Sequence, residues 1–501
     1  MDTIRHFTKV FKCTYIHLFI YCLILFSDSV VPSSSIVKSL PGFPGPLPFN
    51  LETGYIAVDE KEDVQFFYYF VESEGSPRDD PLMLWFTGGP FCSGFSSLAI
   101  GIGPILFNKI EYNGSLPTLT LNPNSWTKAA SIIFIDAPAG SGFSYSRSLE
   151  GYQTGELLLA HQIFNFLKKW LLSHPKFISN PLYLGGQSYG GIIIPLVAQE
   201  VAKSIEAGHT PKFNFRGYLL GNPLTDLNID WNSNVSFAHR MGLIPDELYE
   251  AVKITCKEQY RGNYDKNSSC ANNLNAILHC TEKLNDQHIL EPKCTTYTAN
   301  GKTEFINRKS LLEKPSPDFP EFECRSYNSL LIHSWANNEA VQRALHIQKG
   351  TIETWIRCPD NVPHKFQATS VILYHQHLHS RGYKALIYSG DHDMLVPYIG
   401  TQTWIKSLNI PIVSTWRPWL VNDQIAGVVD IQPRSTGLRS AFPCSKDGSR
   451  TTLSNSTYCT ETIIFAAASV FPLQPQTDPR PANISAAAGL AEPKQFVRCV
   501  F

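Results

Sequence analysis

The chain has 501 residues, 43% hydrophobic and 12% aromatic, enough to bury an extended core and incompatible with disorder throughout. Its 42 Lys and Arg residues stand against 43 Asp and Glu, a net charge of −1, so no global field favours nucleic acid or an anionic membrane. A small or neutral substrate is the expected partner.

The opening segment carries Arg5, Lys9 and Lys12, an apolar stretch from Cys13 to Phe26, and then small polar residues including Ser33, Ser34 and Ser35. That is the layout of a secretory signal peptide over residues 1–35, since about 14 apolar residues fall short of the roughly 20 needed to span a bilayer. Its removal takes away Cys13 and Cys22 and leaves ten cysteines, seven of them from Cys92 to Cys358. In a secretory setting this favours disulfides over metal ligation; no CxxC pair argues for zinc, and neither metal nor cofactor is expected. Sequons at Asn113, Asn234, Asn267, Asn455 and Asn483 fit the same route. The expected destination is the secretory pathway, extracellular or vacuolar, with no membrane attachment once the leader is gone.

Short apolar runs ending in Gly/Pro clusters at Leu82–Phe86 and Ile132–Ile135 read as buried parallel strands. Two more follow at Leu182–Leu184 and Ala385–Tyr388. Between them Leu157, Phe164, Leu167 and Leu171 recur at helical spacing within Glu156–Leu172. The alternation predicts an α/β fold built on an open sheet, with active groups at the carboxyl ends of the strands. Residues 36–225 form the first part of this core and 335–427 the second. Residues 226–334, rich in cysteine and helical stretches, read as a cap inserted over the sheet. From Gly427 onward Ser, Thr, Ala and Pro dominate, and residues 428–501 read as a poorly ordered tail.

Ser188 sits in Gly186-Gln187-Ser188-Tyr189-Gly190-Gly191, four residues after an apolar strand and just before a helix-like stretch from Ile192 to Ala202. A tight strand-to-helix turn with flanking glycines is how an α/β-hydrolase presents its nucleophile, and the triad then runs Ser, Asp or Glu, His in chain order. Asp393, in the loop after the Ala385–Tyr388 strand, is the expected acid; Asp391 competes and reads as a turn residue. Thr87-Gly88-Gly89-Pro90 ends another strand, and the amides of Gly89 and Tyr189 are the natural pair of oxyanion donors. Without Ser188 the Gly-Gly-Pro cluster would read as an ordinary turn.

Trp85–Ser93, Ile135–Tyr145, Gly186–Gly191 and Tyr388–Pro397, with Gly221-Asn222-Pro223 and Phe237-Ala238-His239, closely resemble the motifs of the serine carboxypeptidase family. The match runs from about Leu40 to Gly427 and is nearer the plant serine carboxypeptidase-like proteins, some of which are acyltransferases using glucose esters. The resemblance implies an α/β-hydrolase fold, a mostly parallel sheet with helices on both faces and an inserted disulfide-containing cap. It also implies Ser188 as nucleophile, Asp393 as acid, Thr87 and Gln187 as substrate contacts, and disulfides Cys92 with Cys358 and Cys256 with Cys270. Thr87 and Gln187 stand where peptidase members usually carry Asn and an acid, and Phe91 stands where the family normally has Gly.

In the family the base arrives in a Gly-His-Thr-Ala type loop, shortly after a stretch like Trp416–Trp419 and Gln424–Gly427. All fifteen histidines of this chain precede Met394. His375, His377 and His379 lie in a helix-like stretch and read as surface or interhelix residues, while His392, beside the acid, is expected to point away. The expected function is acyl transfer through an acyl-enzyme on Ser188, with glucose-ester type small metabolites as donors. Serine-type carboxypeptidase action on a peptide C-terminus is the alternative, and a non-catalytic pseudoenzyme is the alternative of another class.

Overall fold

A computed structural model describes residues 33–262, 264–294, 324–412, 414–421, 424–431 and 497–500. Strands β1 (Ser33–Val37), β2 (Leu51–Asp59), β3 (Val64–Val71) and β4 (Leu82–Phe86) are followed by a small hairpin, β5 (Ile105–Phe107) with β6 (Leu119–Leu121). Then come β7 (Ser131–Ile135), β8 (Tyr145–Ser146), β9 (Leu182–Gln187), β10 (Phe215–Gly221) and β11 (Lys384–Gly390). The last strands are β12 (Ser414–Val421), β13 (Gln424–Ile431) and β14 (Val497–Val500). All but the β5–β6 hairpin join one sheet in the order β1-β2-β3-β7-β4-β9-β10-β11-β14-β13-β12, with β8 on β3. The run β7-β4-β9-β10-β11 is parallel, and the pairs on either side of it are antiparallel except β13–β14.

Every residue of β4 and of β7 is buried, as expected of parallel strands covered on both faces. On one face lie helices α1 (Gly94–Ile100), α7 (Tyr327–Ala336) and α8 (Glu339–Ala344), where Phe95 stacks on Trp335 at 4.9 Å. On the other lie α2 (Glu156–Ser173), α3 (Gly190–Glu206), α9 (Ile372–Ser380) and α10 (Tyr398–Ser407), around Trp170, Ile193, Val201 and Trp404. Helices α4 (Leu227–Arg240), α5 (Asp246–Cys256) and α6 (Ser269–Thr281) share a smaller apolar cluster of their own, including Val235, Ile244, Val252 and Ile277. This is the inserted unit. Helix α7, assigned by the sequence to the end of the cap, belongs instead to the main core, because Leu331, Ile332 and Trp335 bury themselves there.

Two further boundaries shift. Ser33–Ser35, read as the end of the leader, pair with Thr53–Tyr55 in the edge of the sheet; residues 1–32 lie outside the described residues. The tail was expected to lose regular structure from 428, yet β13 continues to Ile431 and Gly427–Asp430 pairs with Val497–Val500. Backbone pairing needs no apolar period, so a strand of this kind is silent in the text of the sequence. Residues 432–496, with Asn455 and Asn483, lie outside the description.

Disulfides join Cys92 to Cys358 and Cys256 to Cys270, the pairs implied by the resemblance, and also Cys294 to Cys324. Cys280 is exposed and unpaired among the described residues. No helix among them is long and apolar enough to cross a membrane.

Candidate active site

Ser188 occupies the turn between β9 and α3, half-buried at the carboxyl end of the sheet, with φ of +54°. A non-glycine residue adopts that left-handed conformation only when its surroundings impose it. They do so here: its N–H donates to the Gly221 carbonyl at 3.0 Å, while its own carbonyl accepts from Gly191 at 2.8 Å and Leu224 at 2.9 Å. The turn also needs room. A Cβ on Gly88 would collide with the Gln187 carbonyl and stand 2.8 Å from Ser188 Cβ, and one on Gly186 would stand 2.9 Å from Ile194. Helix α3 begins directly after the turn without a side-chain cap, so its positive end faces the seryl oxygen.

The loop after β4 supplies the opposite wall. Gly89 takes φ of +136°, and Phe91, buried, takes +62°. Among the described residues neither the Gly89 nor the Tyr189 amide hydrogen is taken by another backbone carbonyl. Cys92 N–H closes the loop on the Gly88 carbonyl at 3.1 Å, and the Cys92–Cys358 bridge ties it to the segment holding Arg357, whose carbonyl accepts from Ser93 N–H at 2.7 Å. Arg357 itself is half-buried and makes no ion pair among the described residues; desolvation lowers its guanidinium pKa.

Asp136, at the end of β7, anchors the far side of that loop. Its carboxylate accepts from Ser93 Oγ at 2.5 Å, Gly94 N–H at 2.8 Å and Phe143 N–H at 2.8 Å. Full burial nonetheless pushes its pKa up to about 6. Ser141 Oγ then donates to the Phe91 carbonyl at 2.6 Å. The Ile135–Tyr145 motif is thus the mould in which the glycine loop is cast.

Thr87 and Gln187 part company. Thr87 is buried with its hydroxyl 2.8 Å from Ser97 Oγ, which also accepts from Trp85 Nε1 at 3.0 Å. Its oxygen is therefore engaged in the interior beneath the loop. Gln187 is exposed at the end of β9.

Gln187, Gly221 and Tyr388 lie side by side across β9, β10 and β11, which sets the loop bearing Asp393 two strands from Ser188, about 10 Å by strand spacing. That is too far for a direct contact and close to the ~8 Å that an imidazole spans with a hydrogen bond at each nitrogen. Asp393 Oδ1 accepts from Leu395 N–H at 2.8 Å and Val396 N–H at 3.0 Å, and Oδ2 accepts from Asn222 Nδ2 at 2.9 Å. Burial outweighs these bonds and pushes its pKa up to about 7, with Asp286 adding repulsion. Asn222, at the end of β10 with φ of +40°, also donates from its backbone to Tyr388 and accepts from Gly390 N–H. In the sequence Asn222 is only part of the Gly221-Asn222-Pro223 pattern; the fold is what sets its side chain against Asp393.

Asp391 Oδ1 stands 3.8 Å from His392 Nε2. The His392 ring is buried against His288 of the cap at 5.3 Å, and the His392 Nδ1 has no hydrogen-bond partner among the described residues. The cap grips the acid loop directly: Met394 and Leu395 donate to the Asp286 carbonyl, and Ile289 donates to that of His392. His375 is fully buried between Tyr218 and Trp404, its pKa lowered to about 3 by desolvation. His377 is exposed.

The sequence profile of the serine carboxypeptidase family matches residues 41–438. The chain belongs to the serine carboxypeptidase family. It is 46% identical to serine carboxypeptidase-like 3 of Arabidopsis thaliana over 397 residues, 79% of this chain and 85% of that protein. To serine carboxypeptidase-like 19 of the same plant it is 43% identical over 446 residues, 87% of this chain and 95% of the relative. Among solved structures it is similar to Kex1(delta)p, a prohormone-processing carboxypeptidase of Saccharomyces cerevisiae, at a TM-score of 0.59 and 20% identity, covering 77% of this chain and 85% of that one. The fold is that of an α/β-hydrolase.

Proposed function

We propose that this serine carboxypeptidase-like chain carries an acyl-transfer site in which Ser188 forms the acyl-enzyme, Gly89 and Tyr189 bind the oxyanion, and Asp393 orients a base. The observation that carries the reading is the strained left-handed Ser188, seated on Gly88 opposite two unclaimed amides. An ester donor of the glucose-ester type with an alcohol acceptor is the first substrate class, ahead of release of a C-terminal amino acid. Its support is the withdrawal of the Thr87 hydroxyl to Ser97, which leaves no peptide-carboxylate clamp at that position; Gln187 departs from the peptidase and the acyltransferase members alike. Gln187 is the side chain at the mouth of the site that touches substrate.

Incubation of the purified protein with a glucose ester plus hydroxy-acid acceptors, and separately with blocked dipeptides, tests this order. Ester-dependent acyl transfer is the expected result; turnover of dipeptides alone would reverse it.

A second reading is a binding protein that keeps the pocket without chemistry. It is favoured by Asp393, whose carboxyl is held by Asn222, Leu395 and Val396 with no histidine hydrogen-bonded to it among the described residues, and whose pKa burial raises. It requires ligand binding with Ser188 unmodified by acyl donors. For location we propose the secretory route, supported by the three disulfides and by exposed Asn113 and Asn267. Asn234 is a poor acceptor, because it lies within α4 with its Oδ1 buried. A glycosidase mobility shift retained after Asn234→Gln and lost after Asn113→Gln with Asn267→Gln is the expected pattern for the described sequons.

A further inference from the structure

Beneath the site lies a buried polar triangle that the reaction as described does not use. The Tyr189 hydroxyl donates to Glu156 Oε1 at 2.7 Å; His364 Nε2 stands 3.1 Å from the same oxygen and 3.2 Å from the hydroxyl. Glu156, wholly inaccessible, uses Oε2 to accept from Gln367 N–H at 2.7 Å and Ala368 N–H at 3.3 Å. A buried carboxylate with a full complement of donors is rigid, and removing any one donor is costly.

The segment bearing His364 is held in place from the other side. Thr154 bridges to His364, accepts from Lys365 N–H at 2.9 Å and donates to the Pro363 carbonyl at 2.9 Å. Onto this floor the Phe91 ring packs edgewise, 5.1 Å from His364 and 6.1 Å from Tyr189, both at 70°. Phe91 lies two residues after Gly89, and Tyr189 follows Ser188. The two chain segments that bear the oxyanion amides therefore meet through two aromatic rings standing on the Glu156–His364 contact.

We propose that Glu156 and His364 are positioning residues which, acting through the Tyr189 phenol and the Phe91 ring, set the separation of the Gly89 and Tyr189 amides. This rests on the reading of Ser188 as the nucleophile. The residue that replaces the usual glycine, Phe91, is on this account the part that transmits the position of His364 to the glycine loop.

The test is the kinetics of phosphonylation of the full chain by an alkyl fluorophosphonate in imidazole buffer. Ser188 Oγ bonds to phosphorus, the P–F bond breaks, fluoride leaves, and the seryl proton passes to imidazole, while negative charge gathers on the phosphoryl oxygen facing the amides. Misplacing such donors costs on the order of 10- to 100-fold. His364→Leu and Tyr189→Phe are expected to lower the limiting labelling rate about tenfold or more, with the half-saturating probe concentration within roughly twofold. His364→Gln, which keeps an N–H for Glu156, is expected to recover to within about threefold of wild type. Limiting rates for His364→Leu and Tyr189→Phe within twofold of wild type, whatever their melting points, would overturn the proposal. If His364→Leu does not fold, Tyr189→Phe alone decides, since it removes one hydroxyl. Wild-type protein that takes up no probe would instead overturn the reading of Ser188, and this inference with it.

Discussion

Replacing Asp393 with asparagine isolates the electrostatics of the acid loop. The Asp393 carboxyl has its pKa pushed up to about 7 by burial, against an ordinary value near 3.8. A carboxyl that holds its proton more tightly folded than unfolded contributes most below the unfolded value, and its contribution falls as pH rises toward the folded pKa. Between pH 5 and 7 this is two units at about 1.36 kcal/mol each, an upper bound of about 2.7 kcal/mol lost on going to neutral pH. Asp393 keeps some contact with solvent, so the measured loss is expected nearer 2 kcal/mol. In Asp393→Asn that slope disappears, while the parallel slopes from Asp136 and Asp230, and the opposite one from buried His375, are common to both proteins. At about 2.1 cal/mol/K per residue over roughly 400 folded residues, 2 kcal/mol corresponds to a 2–3 °C difference in melting shift. Urea unfolding at pH 5 and 7, with equal m values confirming like states, measures it. Wild type and Asp393→Asn moving in parallel within about 0.5 kcal/mol would refute the reasoning.

Ser188→Gly is expected to stabilise the fold by about 1 kcal/mol, because φ of +54° costs serine and not glycine; a loss of stability on urea unfolding would show that the turn is unstrained. Phe91→Ala is expected to destabilise by about 2–4 kcal/mol through the cavity it leaves. Phe91→Gly, relieved of strain at φ +62°, is expected to cost about 1 kcal/mol less than Phe91→Ala; the reverse order would contradict the left-handed assignment. Added imidazole is expected to raise the rate of Ser188 phosphonylation in proportion to its free base, by tenfold or more and less in Asp393→Asn, because the space between the two loops spans about one ring with its hydrogen bonds. A rate indifferent to imidazole would remove Asp393 from any triad.

What could be read from the text was the part written in apolar runs. Leu82–Phe86 appears as β4 with those same ends, Glu156–Leu172 as α2 to within a residue, and the strand before Ser188 as β9. Glycines marked the turns because backbone crowding at Gly88 and Gly186 leaves no other choice. β10 is hidden because Arg216 and Gly217 interrupt the apolar run of its Phe-Arg-Gly-Tyr-Leu-Leu-Gly, and with it the position of Asn222. The Glu156–His364 pair was out of reach for a different reason: 208 residues separate the partners, and only the fold joins them. The Cys294–Cys324 bridge was equally unreadable, since spacing does not determine connectivity.

The central claim, that Ser188 is a nucleophile presented to an oxyanion site, is tested most directly by the intact mass of the protein after exposure to an alkyl fluorophosphonate in imidazole buffer, followed by peptide mapping. One adduct per chain, on the peptide that contains Ser188 and absent from Ser188→Gly, is the expected result. A chain that keeps its native mass, or an adduct that persists in Ser188→Gly, would contradict it.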